Sequence, residues 1–80
     1  MPGEPAAVLR AFETDPGDRF VGEWPLAGAT LDELRTLFSA EADDPMYGSF
    51  PVEASHVSKL QCWTDHHIDV AKLDYFVDPA

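Results

Sequence analysis

The chain of 80 residues holds a single cysteine, Cys62. It therefore has no internal disulfide framework, and a lone thiol fits a reducing compartment. No window approaches eighteen consecutive apolar residues, so no membrane-spanning helix is expected. The start, MPGEPAAVLR, lacks a basic segment followed by a long apolar run, so no secretory signal is expected either. These absences predict a cytoplasmic protein. Basic residues are scarce as well: five Lys and Arg stand against fifteen Asp and Glu, a net charge of −10. Residues 1–40 carry seven acids and three bases, and residues 41–80 carry eight and two, so the acidity is not confined to a tail. Such a surface repels nucleic-acid backbones and anionic membranes and steers the approach of basic partners.

What is present suffices for one core. The apolar fraction is 45%, with nine aromatic residues, well above the range of disordered chains. Residues 1–80 are expected to form a single domain with residues 1–5 as a loose N-terminus. A chain of this size buries roughly 60% of its unfolded surface, so its stability margin is thin.

Residues 6–13 (AAVLRAFE) alternate, with Val8, Arg10 and Phe12 on one face and Ala7, Leu9 and Ala11 on the other. The segment from Thr14 to Asp18 is dense in turn formers. Residues 19–26 (RFVGEWPL) then place Phe20, Gly22 and Trp24 on one face, and Val21 and Glu23 on the other. Two alternating runs about a Pro-Gly loop predict a β-hairpin, and Pro25, without an amide donor, ends the second strand or lies at an edge. Thr30 with Glu33 three residues on is a capping box, and Leu31, Leu34, Leu37 and Phe38 form an apolar stripe behind it. A second helix is expected over residues 54–63, with His56, Val57, Leu60 and Trp63 inward and Ser58, Lys59 and Gln61 outward. Residues 65–69 read as a polar turn. Residues 73–77 (LDYFV) read as a closing strand, with or without a helical turn over residues 70–73. The expected fold is α+β in the order ββααβ: a small antiparallel sheet of the hairpin plus the C-terminal strand, with two helices packed on one face.

Several short motifs fall in a familiar order. Trp24-Pro25-Leu26 closes the hairpin, and the capped leucine helix follows. Then come Asp43-Asp44-Pro45-Met46-Tyr47, Phe50-Pro51-Val52, a short helix and Asp74-Tyr75-Phe76. In these features the chain resembles a family of small uncharacterised bacterial domains, some associated with the immunity proteins that accompany secreted toxins. The resemblance spans nearly the whole chain and implies a cytoplasmic, protein-binding role. None of its motifs carries chemistry.

Candidate chemistry is sparse. Cys62 and His66 are spaced as a metal pair would be if the helix continued, with Asp65, His67 and Asp69 nearby. A structural zinc site needs four ligands, however, and no second pair stands at ligand spacing. Two histidines and Lys72 do not make a ribonuclease, because no positive surface remains to hold RNA. The carboxylates Asp32 and Glu33 are accounted for by helix capping. His56, inside an apolar stripe, reads as a hydrogen-bonded core histidine. No catalytic residue, cofactor site or metal site is assigned.

The stretch EADDPMYGSFPV, residues 41–52, reads as a connector by construction, since Pro45 and Pro51 stop regular structure. By composition it is the best interface candidate. Acids ringing a Met-Tyr pair suit a basic protein surface. Glu41, Asp43, Asp44, Met46 and Tyr47 are therefore expected to bind a partner, with the turn Asp65-His66-His67 as the second candidate. The favoured expectation is a small inhibitor of a basic protein, such as a toxin or nuclease. The competing one is a nucleic-acid mimic or phage-type inhibitor of a defence or DNA-binding protein, which would need its acids arrayed in rows on one side. Oligomeric state is left open.

Overall fold

The computed structural model describes residues 5–14, 19–41 and 48–80. The expected hairpin is present as β1 (Ala7–Glu13) and β2 (Phe20–Pro25), paired antiparallel. Of the proposed turn, residues 15–18 lie outside the described residues. The Glu13 amide donates to the Arg19 carbonyl at 2.8 Å.

Unbroken alternation would put Phe20 on the Trp24 face, and here the structure corrects the sequence reading. The register steps from Ala11 opposite Gly22 to Phe12 opposite Phe20, so Val21 is an extra residue in β2. A bulge of this kind resets the period-two parity. Phe20 thus joins Phe12 on the other face, with ring centroids 5.7 Å apart.

The first helix, α1 (Leu31–Leu37), begins as its capping box dictates. The Glu33 amide donates to Thr30 Oγ1 at 3.2 Å, and the Thr30 amide donates to Glu33 Oε1 at 3.2 Å. Leu34 is fully buried and Leu37 and Phe38 are half-buried, whereas Leu31, at the first turn of the stripe, is exposed. The helix ends in a Schellman arrangement. The Ala40 amide donates to the Arg35 carbonyl at 2.8 Å and the Ser39 amide to the Thr36 carbonyl at 3.3 Å. Ser39 closes this turn with a φ of 56°, in the left-handed region where glycine is usual.

The order ββααβ is also corrected. A two-residue strand, β3 (Phe50–Pro51), lies between the helices, and β4 (Leu73–Pro79) closes a four-stranded antiparallel sheet of order β2-β1-β4-β3. So short a strand around a proline leaves no alternating pattern to read, because Pro51 has no amide to donate. The ladder resumes beyond it, where the Val52 amide donates to the Tyr75 carbonyl at 2.9 Å.

Residues 54–63 are helical in three joined pieces: a 3₁₀ turn (Ala54–His56), α2 (Val57–Leu60) and a second 3₁₀ turn (Gln61–Trp63). The start is held by an imidazole, since His56 Nδ1 accepts the Glu53 amide at 3.0 Å. The same ring lies 4.5 Å from that of Phe38, so His56 is a half-buried, hydrogen-bonded residue. Residues 70–72 form a turn, and strand follows directly.

One buried cluster takes in the β1 residues Ala7, Leu9 and Ala11 together with Leu34, Leu60 and Val77. The opposite sheet face has a different composition. Phe12, Phe20, Val21 and Phe76 lie outside the core cluster. Across the strands Arg10 sits between Glu23 and Phe76, and Phe76 is paired with Pro51.

Candidate functional site

The clearest assembly of polar and aromatic groups lies where β2, the end of the second helical stretch and β4 meet. Its floor combines two small residues with two aromatic ones. Gly22, Ala11 and Tyr75 are cross-strand neighbours, and the Trp24 indole reaches back over Gly22. A Cβ on Gly22 would stand 3.0 Å from two atoms of that ring.

The roof is the loop after Trp63. Helix geometry stops there, with Thr64 extended at φ −142° and ψ 148°. Gln61 shapes the loop: its Nε2 donates to the carbonyls of Thr64 at 3.3 Å and His66 at 2.6 Å, and its Oε1 accepts the Ile68 amide at 3.0 Å. This is a correction, because Gln61 was expected to face away. Helical periodicity fails within the last turn, and the half-buried side chain folds back onto the loop.

Held in this way, the His66 imidazole lies flat on the Trp24 indole, with centroids 3.7 Å apart and planes 9° from parallel. Its Nε2 is 2.8 Å from the Tyr75 hydroxyl, which also accepts the Asp69 amide at 3.3 Å. A neutral ring protonated at Nδ1 accepts the Tyr75 proton at Nε2. A protonated ring must donate instead, and the phenol proton then loses its acceptor. Burial, followed by the like charge of His67, lowers the His66 pKa below the ordinary histidine value, so the neutral arrangement is favoured.

Beside this stack lies a cavity of about 350 Å³, between Trp24 and Pro25 on one side and Cys62, Thr64 and Asp65 on the other. The Cys62 thiol is exposed and donates to the Ser58 carbonyl at 3.5 Å. Because the helix ends at Trp63, Cys62 and His66 do not share a helical face. Among the described residues, no group of three or more His, Cys, Asp or Glu is arranged to hold a metal ion.

The two predicted interface segments fare differently. Glu41 is exposed, whereas Asp43, Asp44, Met46 and Tyr47 lie outside the described residues. In the second segment Asp65 and His67 are exposed and His66 is half-buried in the stack. Sequence reasoning missed Trp24, Gln61 and Tyr75 as its partners. The signal for the floor was the pair of small residues Ala11 and Gly22 within otherwise bulky strands; Gln61 had none.

Among the described residues, no helix is long and apolar enough to cross a membrane. No curated protein matches the chain. Residues 7–78 match the model of a family described as a domain of unknown function (DUF7683), and the protein belongs to that family.

Proposed function

We propose that this protein is a small cytoplasmic binding module that neutralises a basic protein partner, in the manner of an immunity protein blocking a toxin such as a nuclease. The observation that carries the reading is how the few cations are used. Arg10, Arg19, Arg35 and Lys59 are each within ion-pair distance of a carboxylate of the chain. Their charge is largely spent internally. Glu41, Glu53, Asp65 and Asp74 are exposed, and among the described residues none of them has such a partner. A field of that sign accelerates capture of a basic protein and disfavours anionic ligands.

Co-purification with the product of the adjacent gene tests the reading, and a neighbouring gene encoding neither a toxin nor secretion apparatus would sink it. With a partner in hand, Asp43→Lys with Asp44→Lys should slow association and flatten its salt dependence. Tyr47→Ala should instead speed dissociation. Stopped-flow binding at two salt concentrations separates these effects.

A further inference from the structure

An antiparallel sheet with one solvated face ordinarily turns polar side chains outward. Here the outward positions carry a contiguous aromatic patch. Phe12 meets Phe20 and Phe76 edge to face, at centroid distances of 5.7 and 5.8 Å. The bulge adds Val21 beside Phe20, and these two are 47% and 54% exposed, respectively. None of the four belongs to the core cluster, so the demands of the core do not account for them. Phe12 and Phe76 are half-buried and Phe20 and Val21 exposed, and contiguous apolar surface of this kind marks a contact site.

The charges around the patch specify what covers it. Asp74 and Asp78 flank Phe76 along β4, and Glu23 lies across from Arg10. Arg10 donates from Nε to Glu23 at 2.6 Å and from Nη1 to Asp78 at 3.2 Å, so the one central cation is held between two carboxylates. Asp74 is exposed, with no ion-pair partner among the described residues. Three carboxylates against one guanidinium leave the face negative. A second copy would set these acids against themselves, with −10 on each side. A surface presenting Arg or Lys around an apolar anchor complements both the charge and the rings, since guanidinium groups also stack on aromatic faces.

We propose that the outer sheet face centred on Phe12, Phe20 and Phe76 is the docking surface for a basic protein partner. This rests on the binding-module reading above for the sign of the partner's charge, and it adds the sheet face to the contact expected at residues 41–47.

The test is site-specific photo-crosslinking of the full chain in the cells that produce it. The photoreactive p-benzoyl-phenylalanine replaces Phe20 in one strain and His67 in another. A basic protein crosslinked from position 20 is the expected result. With that protein purified, Phe20→Ser and Asp74→Lys should each weaken binding about tenfold or more, as loss of an anchor or of complementary charge does. Both positions are exposed, so circular dichroism and melting temperature should stay near wild type. Crosslinking only from position 67 would overturn the sheet face while leaving the binding-module reading standing. Crosslinks from position 20 to a second copy, to residues 1–4 of the same chain or to an acidic protein would overturn the proposed occupant. No adduct from either position would overturn the sheet face, with the binding-module reading decided separately by co-purification, and unchanged affinity of both variants would likewise overturn the surface.

Discussion

The His66 imidazole and the Trp24 indole are stacked nearly parallel, although 42 positions separate them in sequence, and the Tyr75 hydroxyl fixes the imidazole's edge. This contact ties the loop after the second helical stretch to the hairpin.

The folded His66 ring holds its proton less tightly than an ordinary histidine, whose value is 6.5. An unfolded chain therefore takes up the proton first as pH falls. The stabilisation from this group is complete above about pH 6.5 and is lost as pH drops through the lower folded value. Melting temperatures measured from about pH 5 to 8 should fall on the acid side. His66→Phe keeps a ring on Trp24 but cannot titrate, and it should show a shallower acid decline than wild type. Parallel curves for the two proteins would refute the assignment.

Gly22→Ala should be destabilising by about 1 kcal/mol, at the low end of overpacking costs. The new methyl group would stand 3.0 Å from the Trp24 ring, which cannot lift without leaving His66. In a His66→Ala background the indole is freer to move, so the same substitution should cost less. Denaturant unfolding of the four proteins of this cycle measures the coupling.

Ser39 occupies the left-handed position that ends α1. Ser39→Gly removes the steric cost of that conformation, partly offset by the greater freedom of glycine in the unfolded chain. The net gain should be about 0.5–1 kcal/mol, read as a rise in denaturation midpoint at unchanged slope.

Thr30→Ala should cost about 1 kcal/mol through loss of the reciprocal cap. Leu34→Ala should cost about 2–5 kcal/mol, because the side chain is fully buried. A melting temperature unchanged by Leu34→Ala would contradict its place in the core.

Features set by neighbours in sequence were legible. The Thr30–Glu33 cap follows from two residues three apart, and the hairpin follows from alternation on either side of the Pro16-Gly17 pair. Features set by tertiary pairing were not. The bulge at Val21 depends on how β2 registers against β1, and it moved Phe20 to the opposite face. β3 exists only because β4 offers partners to Phe50 and Pro51. The Trp24, His66 and Tyr75 assembly draws on three separate segments, and the Gln61 side chain that shapes its loop was assigned to solvent by a helical wheel that stops applying at the end of the helix. Of the predicted interface residues, composition singled out Asp65 and His67, which are exposed, and His66, which is bound into the fold.

The placement of the prolines bears on how the molecule behaves when crowded. Both outer strands of the sheet are poor templates for growth: β3 is two residues long and contains Pro51, while β2 ends at Pro25 and is kinked by its bulge. Fibrillar assembly needs an uninterrupted row of backbone donors along an edge, and among the described residues neither side supplies one. The aromatic patch on the sheet's outer face thus lies between two described edges that are poor templates for cross-β growth.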